Sequence, residues 1–304
     1  MMNPAVRHLL SLQSGDGGFG PYPGASSRTE ATALAALALL RSADEGTDGA
    51  ATAAFGWLER YQSSSGAWPL APDLPGPSWS TSLAVLALSH VDPGSPPVLA
   101  GARWLLGQKG RGARWWVRLM LALSSRPRAV ELDVDLTGWP WVEGTFSWVE
   151  PTSYAMLALA RLRGTVEDLR LEDRLAEGGR MLLDRVCAGG GWNYGNTRVF
   201  GEDLWPYPDT TSAALLALAH HRGLPAVERG LDSLERMLEQ NDSLLAQSTG
   251  ILALETHGRE TGDRRSSFRQ RLEQWEGGEV RALAWAALAL SETEDVLGVG
   301  VRGG

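Results

Sequence analysis

Seven times this chain places Leu-Ala-Leu inside an apolar stretch: at residues 37–39, 86–88, 121–123, 157–159, 216–218, 252–254 and 288–290. The steps between the last leucines are 49, 35, 36, 59, 36 and 36 residues. A recurrence of that length marks stacked repeats, each of which needs its neighbours to bury its apolar face. Two kinds of helix alternate. The stretch 227–238 carries Val227, Leu231, Leu234 and Leu238 on one stripe with charged residues elsewhere, the pattern of a surface helix. Residues 31–40, 154–160 and 213–219 are apolar nearly all round, which fits helices buried on both faces. Outer amphipathic helices wrapped around inner apolar ones make an all-α α/α toroid, here of six to seven hairpins. The repeats run from about 4 to 290, so the sequence predicts one domain over 1–304, with a frayed tail at 291–304.

Charge narrows the function. The formal net charge is −8, which gives no electrostatic reason to bind nucleic acid. Lys109 is the only lysine, so Schiff-base chemistry has almost no residue to use. Cys187 is the only cysteine, and the five histidines are scattered. No zinc-site spacing exists, and the expectation is no metal and no cofactor. No secretory signal pattern opens the chain, and its apolar runs are about half of the ~20 residues a membrane span needs. The expected location is cytoplasmic, with peripheral membrane contact left open.

Two linkers share a motif. Gln13 is followed by Gly17 and Phe19, and Gln62 by Gly66 and Trp68. A glutamine at a helix end can bond orphan carbonyls, glycine permits the turn, and the ring covers the helix end. Later copies drift: Gln108 keeps the theme with shifted spacing, and in the stretch 187–192 Cys187 is read as standing in for Gln. Residues 124–138 read as irregular.

These Gln-x3-Gly-x-Trp linkers resemble the QW motif of squalene–hopene and oxidosqualene cyclases. The Leu-Ala-Leu helices and the chain length resemble the β domain of those enzymes and the β subunit of protein prenyltransferases. The resemblance covers roughly 4–290 and implies the toroid. It also implies, as the leading function, a terpene-cyclase-like protein that holds an isoprenoid or other apolar ligand in a central cavity, with proton-initiated chemistry open. The Asp-x-Asp-Asp-Thr acid motif of bacterial triterpene cyclases is missing; Asp133-Val134-Asp135-Leu136-Thr137 is the nearest string. Cys187 lacks the Asp-x-Cys context of the prenyltransferase zinc site, which disfavours prenyl transfer. A noncatalytic toroid that binds a peptide or partner protein is the alternative from another class, and whether the chain is an enzyme stays open.

The candidate site follows from one register. Glu30, Trp79, Glu150 and Asp209 each stand two residues before the threonine that opens an inner helix. The middle acid of the cyclase motif holds that position, so Glu30, Glu150 and Asp209 are the candidate catalytic carboxylates. The competing reading is helix capping: carboxylates are favoured at helix N-termini in any case. A proton donor near neutral pH needs burial or a like-charged neighbour. The aromatic groups before the inner helices offer such a setting, and Trp79, Trp139, Trp141, Trp148, Tyr154, Trp192, Tyr194, Trp205 and Tyr207 are the candidate substrate-binding residues.

Overall fold

The computed structural model describes residues 2–112, 132–133, 135–293, 295, 297 and 298. Outer helices carry odd numbers: α1 (Pro4–Leu12), α3 (Thr47–Arg60), α5 (Pro96–Gly107), α7 (Arg170–Asp184), α9 (Pro225–Glu239) and α11 (Gly262–Glu273). Inner helices carry even numbers: α2 (Thr29–Leu40), α4 (Thr81–Ser89), α6 (Val149–Arg161), α8 (Pro208–Ala217), α10 (Leu244–Thr256) and α12 (Val280–Ala289). Each inner helix packs on the next, and α12 packs on α2, so the ring closes. Outer helices α3, α5, α7, α9 and α11 pack behind the inner helix that precedes them. Helix α1 has none before it and packs behind α12. A single hairpin among the described residues, β1 (Arg198–Val199) with β2 (Glu202–Asp203), sits in the linker before α8.

Burial follows the pattern. Residues Ala31 to Leu39 of α2 and Thr81 to Ser89 of α4 are buried throughout, whereas α9 buries a stripe that includes Val227, Leu231, Leu234 and Leu238. Alanines let the inner helices approach closely enough to close the ring. The Leu-Ala-Leu at 121–123 and most of the stretch 124–138 lie outside the described residues. Helix α4 packs directly on α6, so the ring closes through the six inner helices of the described residues.

The linkers show how the repeat is held. Gln13 Nε2 donates to the carbonyls of Gly17 (2.9 Å) and Ala50 (2.8 Å), and Gln62 Nε2 to those of Gly66 (2.8 Å) and Pro97 (2.8 Å). The glutamine therefore does not cap its own helix. It fastens its linker to the first turn of the next outer helix. Trp68 donates its indole N–H to Leu58 O (2.7 Å), and Trp192 does the same to Leu182 O (2.7 Å). The backbone N–H groups of Phe19, Trp68, Trp139 and Trp192 each donate, at 2.9 Å, to the threonine opening the following inner helix: Thr32, Thr81, Thr152 and Thr211. Behind the rings of Trp68, Trp139 and Trp192 lie Gly101, Gly178 and Gly230 of α5, α7 and α9, where a side chain would collide with the indole. The hydrogen bonds also correct the alignment of the decayed copy. Cys187 N–H donates to Gly191 O as Ser63 N–H does to Ala67 O, both at 2.9 Å. Cys187 thus matches Ser63, and Val186 takes the glutamine's place.

Among the described residues α2, α4, α8, α10 and α12 each follow an outer helix, and first-turn Arg281 of α12 meets first-turn Glu30 and Glu150 of α2 and α6, so the inner helices share two ends. Acidic Glu30, Glu150 and Asp209 stand in first turns. At the opposite end Arg41, His90, Arg161 and His220 each follow a last leucine by two residues. This matches the summed helix dipoles. The basic end is crossed by the chain after Ser291: Ser291 Oγ donates to Arg41 O (2.9 Å), Arg41 to Asp295 O (3.2 Å), and Leu297 is 2% exposed. A frayed tail is expected there from composition. Of that segment Ser291, Thr293, Asp295 and Leu297 make contacts with the basic end, and 294, 296 and 299–304 lie outside the described residues.

Candidate functional site at the mouth of the ring

Four residues of the shared N-terminal end meet on the axis. Arg281, in the first turn of α12, lies next to α2 and opposite α6 in the ring. Its Nη1 is 3.2 Å from Glu30 Oε1. Its Nη2 donates to Glu150 Oε1 and, at 3.1 Å, to Tyr154 Oη. Tyr154 Oη in turn donates to Glu150 Oε1 at 3.3 Å. Glu150 is 5% exposed and Tyr154 3%, while the Glu30 and Arg281 side chains are each 23% exposed, so the cluster runs from a buried inner side, where charge interactions are strong, to a partly wet outer one.

Each charge feels that setting. Burial raises the pKa of Glu30 above 4.5; Arg281 opposes the rise, while Glu150 and Glu279 add to it. Burial works against the charge of Arg281, but Tyr154, Glu150 and Glu30 outweigh it and hold its pKa above the ordinary arginine value. Burial pushes the Tyr154 hydroxyl well above the usual tyrosine range, so it stays a hydrogen-bond donor. Glu30 is shifted toward the neutral form that a proton donor needs.

Aromatic rings lead from the rim to this cluster. Trp141 meets Trp79 edge-on, with centroids 4.6 Å apart. Trp79 stacks on Tyr154 at 6.1 Å, and Tyr154 on Trp285 of α12 at 6.4 Å. The outer end of this line opens into a small crevice lined by Trp79, Trp104, Trp139, Pro140, Trp141 and Pro151. On the α8 side of the mouth, half-exposed Tyr194 and Tyr207 pair at 5.4 Å. Burial, then Asp209 and Glu150, raise the pKa of Tyr194, which places Tyr194 in the field of both carboxylates.

The structure therefore brings together Glu30, Trp79, Trp141, Glu150 and Tyr154, with Asp209, Tyr194 and Tyr207 beside them. No acid caps its helix through a hydrogen bond: the N-cap residues of α2, α6 and α8 are Arg28, Trp148 and Tyr207, none with a side-chain cap bond. Two of the candidate aromatic residues hold the repeats together. Trp192 is fully buried with its N–H on Leu182 O, and Trp139 is buried with its N–H on Leu105 O (2.9 Å) and the Arg174 guanidinium 4.1 Å over its ring. Both occupy the plug position of Trp68, and Trp139 reaches the mouth only as the back wall of the crevice. Trp148 lies off this line, beside a cavity of about 350 Å³ shared with Leu136, Phe146 and Arg185. Trp205 is 82% exposed on the rim. Asp133 and Asp135 are exposed, as in a solvated loop.

The threonine register does not reach Arg281 and Trp285, although a second register holds both. Arg281 precedes Leu290 by nine residues, as Glu30 precedes Leu39 and Glu150 precedes Leu159. Trp285 precedes Leu290 by five, as Tyr154 precedes Leu159. Counting from the opening threonine misses them because α12 has leucine there, at Leu283. Counting back from the last leucine finds them.

The fold has known counterparts. The structure is similar to the endo-β-1,4-glucanase CMCax from Acetobacter xylinum (TM-score 0.56, 11% identity, 94% of this chain and 97% of that one). It is also similar to an apo point variant of the type II terpene cyclase MstE from Scytonema (0.53, 17%, 94% and 76%). A protein from Actinoplanes is a third match (0.50, 19%, 93% and 78%). No family model matches the chain, and no curated protein matches it in sequence. At these identities the likeness establishes the α/α toroid fold, which the glucanase and the terpene cyclase share.

Proposed function

We propose that this α/α toroid binds an isoprenoid-like apolar small molecule at the mouth of its ring, with terpene-cyclase-like chemistry at Glu30, Glu150 and Asp209. One observation carries the reading: the line Trp141–Trp79–Tyr154–Trp285 ends on the Glu30–Arg281–Glu150 cluster. Ring faces pack against polyene chains and attract positive charge. Carboxylates beside them stabilise a cation that develops on the ligand. Glu30, whose proton affinity is raised, is the proton donor in this reading. Glu150, which accepts from Arg281 and Tyr154, is the fixed anion. A noncatalytic binding role uses the same rings, and only turnover separates the two.

Exposed apolar side chains on the same end extend the reading to peripheral membrane contact, through which an apolar ligand would be drawn. Phe200 (80% exposed), Trp205, Tyr22, Leu74, Val142 and Phe146 all stand on linkers leading into inner helices. No helix among the described residues is long and apolar enough to cross a membrane. The test is native mass spectrometry of detergent-free protein, followed by solvent extraction and a search for new products. A stoichiometric isoprenoid or other apolar molecule supports the proposal. Protein that carries none, and takes up none from a mixed prenyl-lipid extract, overturns it.

A further inference from the structure

One tryptophan in the lumen differs from the others in how its N–H is used. The buried indoles of Trp57, Trp68, Trp139 and Trp192 each donate to a protein acceptor at 2.7 to 2.9 Å. Trp285 is 1% exposed, and its Nε1 has no hydrogen-bond partner among the described residues. One turn earlier on α12, Arg281 Nε is also buried and unpartnered among the described residues, although both Nη atoms are engaged. Both side chains are on the lumen face. Arg281 reaches Glu150 and Tyr154 of the opposite helix, and the Trp285 ring stacks on Tyr154. Residues four apart on a helix are neighbours on one face, so two N–H donors lie on the same wall of the site. A third group, Glu30 Oε1, lies 3.2 Å from Arg281 Nη1 and makes no hydrogen bond among the described residues.

A buried donor left without an acceptor is costly, and the other four indoles each have one: a backbone carbonyl for Trp68, Trp139 and Trp192, and the Asp16 carboxylate for Trp57. A hydrocarbon ligand cannot supply it. An oxygen atom can, and a hydroxyl can also donate toward a carboxylate. We propose that the ligand of the mouth site is an oxygen-bearing apolar molecule, an alcohol or ketone, whose oxygen accepts the Trp285 indole N–H on the α12 wall. The inference rests on the proposed function and narrows its ligand class.

The test compares a C20 prenyl alcohol with the hydrocarbon of the same skeleton, each titrated into the full chain. Three proteins are used: wild type, Trp285→Phe, and protein with the 285 indole replaced by benzothiophene, which keeps the volume and removes the N–H. The wild type is expected to bind the alcohol about tenfold more tightly, the value of roughly one hydrogen bond with its desolvation. Both replacements should abolish that preference while the hydrocarbon still binds. The benzothiophene protein keeps the experiment decisive if Trp285→Phe does not fold. Equal binding of the two probes by the wild type overturns the inference and leaves the proposed function standing. A preference that survives removal of the N–H overturns the assignment to Trp285. Binding of neither probe overturns both proposals.

Discussion

Arg281 on the last inner helix reaches across the axis of the ring to Glu150 on the helix opposite. The contact ties together residues 131 positions apart in sequence, and through Nη1 it also holds Glu30 of the neighbouring helix. One guanidinium thus acts as the counter-ion for two carboxylates that would otherwise repel each other in a buried place.

Replacing that guanidinium should expose the repulsion. Arg281→Met is expected to destabilise the fold by on the order of 3 kcal/mol at neutral pH, because it leaves uncompensated charge behind. The sign of the pH dependence follows from Glu30. Its folded-state pKa lies above the ordinary 4.5, so the folded state holds more protons than the unfolded one from 4.5 up to the raised value. Stability falls as pH rises through that window. Arg281 restrains the shift, so its loss widens the window. Urea unfolding at pH 5 and pH 8 should show a smaller deficit for the variant at pH 5, and Glu30→Gln should recover part of it at pH 8. A deficit independent of pH removes Arg281 as the shared counter-ion.

At the other end of the ring His90 predicts the opposite slope. Burial, Arg161 and Arg41 depress its pKa from 6.5 to about 3. The unfolded state therefore takes up a proton that the folded state refuses, and stability is lost as pH falls below 6.5. Between pH 7 and pH 5 the loss is about 2 kcal/mol. His90→Asn should flatten that part of the curve, as measured by denaturation across pH 5 to 7. An unchanged slope in the variant removes His90 as its source.

The plug tryptophans make a packing prediction. A Cβ at Gly230 would stand 2.5 Å from the Trp192 ring. Gly230→Ala should cost about 1–3 kcal/mol from overpacking, despite the helix propensity of alanine. Gly49→Ala on exposed α3 has nothing within 4 Å and should stabilise by about 0.5–1 kcal/mol. Thermal melts of the two variants should move in opposite directions.

The toroid is legible in the sequence because its repeat is written in short-range terms. Leu-Ala-Leu marks the inner face, and the Gln62 and Trp68 spacing marks a turn closed by short-range hydrogen bonds to Gly66 O and Leu58 O. The site is legible only in part. Glu30 and Glu150 stand in the threonine register, but what joins them is Arg281, on a helix without the threonine used as a marker. Trp139 and Trp192 show a related limit: composition does not distinguish an indole that plugs a repeat from one that faces the mouth. That difference lies in where the N–H goes, to Leu105 O and Leu182 O here. The docking of the chain after Ser291 depends on Arg41 and Asp295, 254 residues apart, which no local pattern reveals.

Membrane contact is tested on the rim. Phe200 and Trp205 are the most exposed aromatic side chains of the mouth end, and interfacial binding scales with buried apolar area. Co-sedimentation with neutral phosphatidylcholine vesicles should be lost, or fall severalfold, in the double variant Phe200→Ser, Trp205→Ser. Equal sedimentation of the variant, or none by the wild type, rejects the contact.

Every functional step proposed here requires an apolar ligand to pack on the rings leading to the Glu30–Arg281–Glu150 cluster. Calorimetric titration of a C20 prenyl alcohol into wild type and Trp79→Ala reads that packing directly, with circular dichroism to confirm the fold. Trp79 is half-buried between Trp141 and Tyr154, so the variant keeps the core. The wild type should show saturable one-to-one binding, and the variant a loss of about tenfold or more, the value of an aromatic contact with its buried area. Equal affinity of two well-folded proteins, or no binding by the wild type, would refute the site.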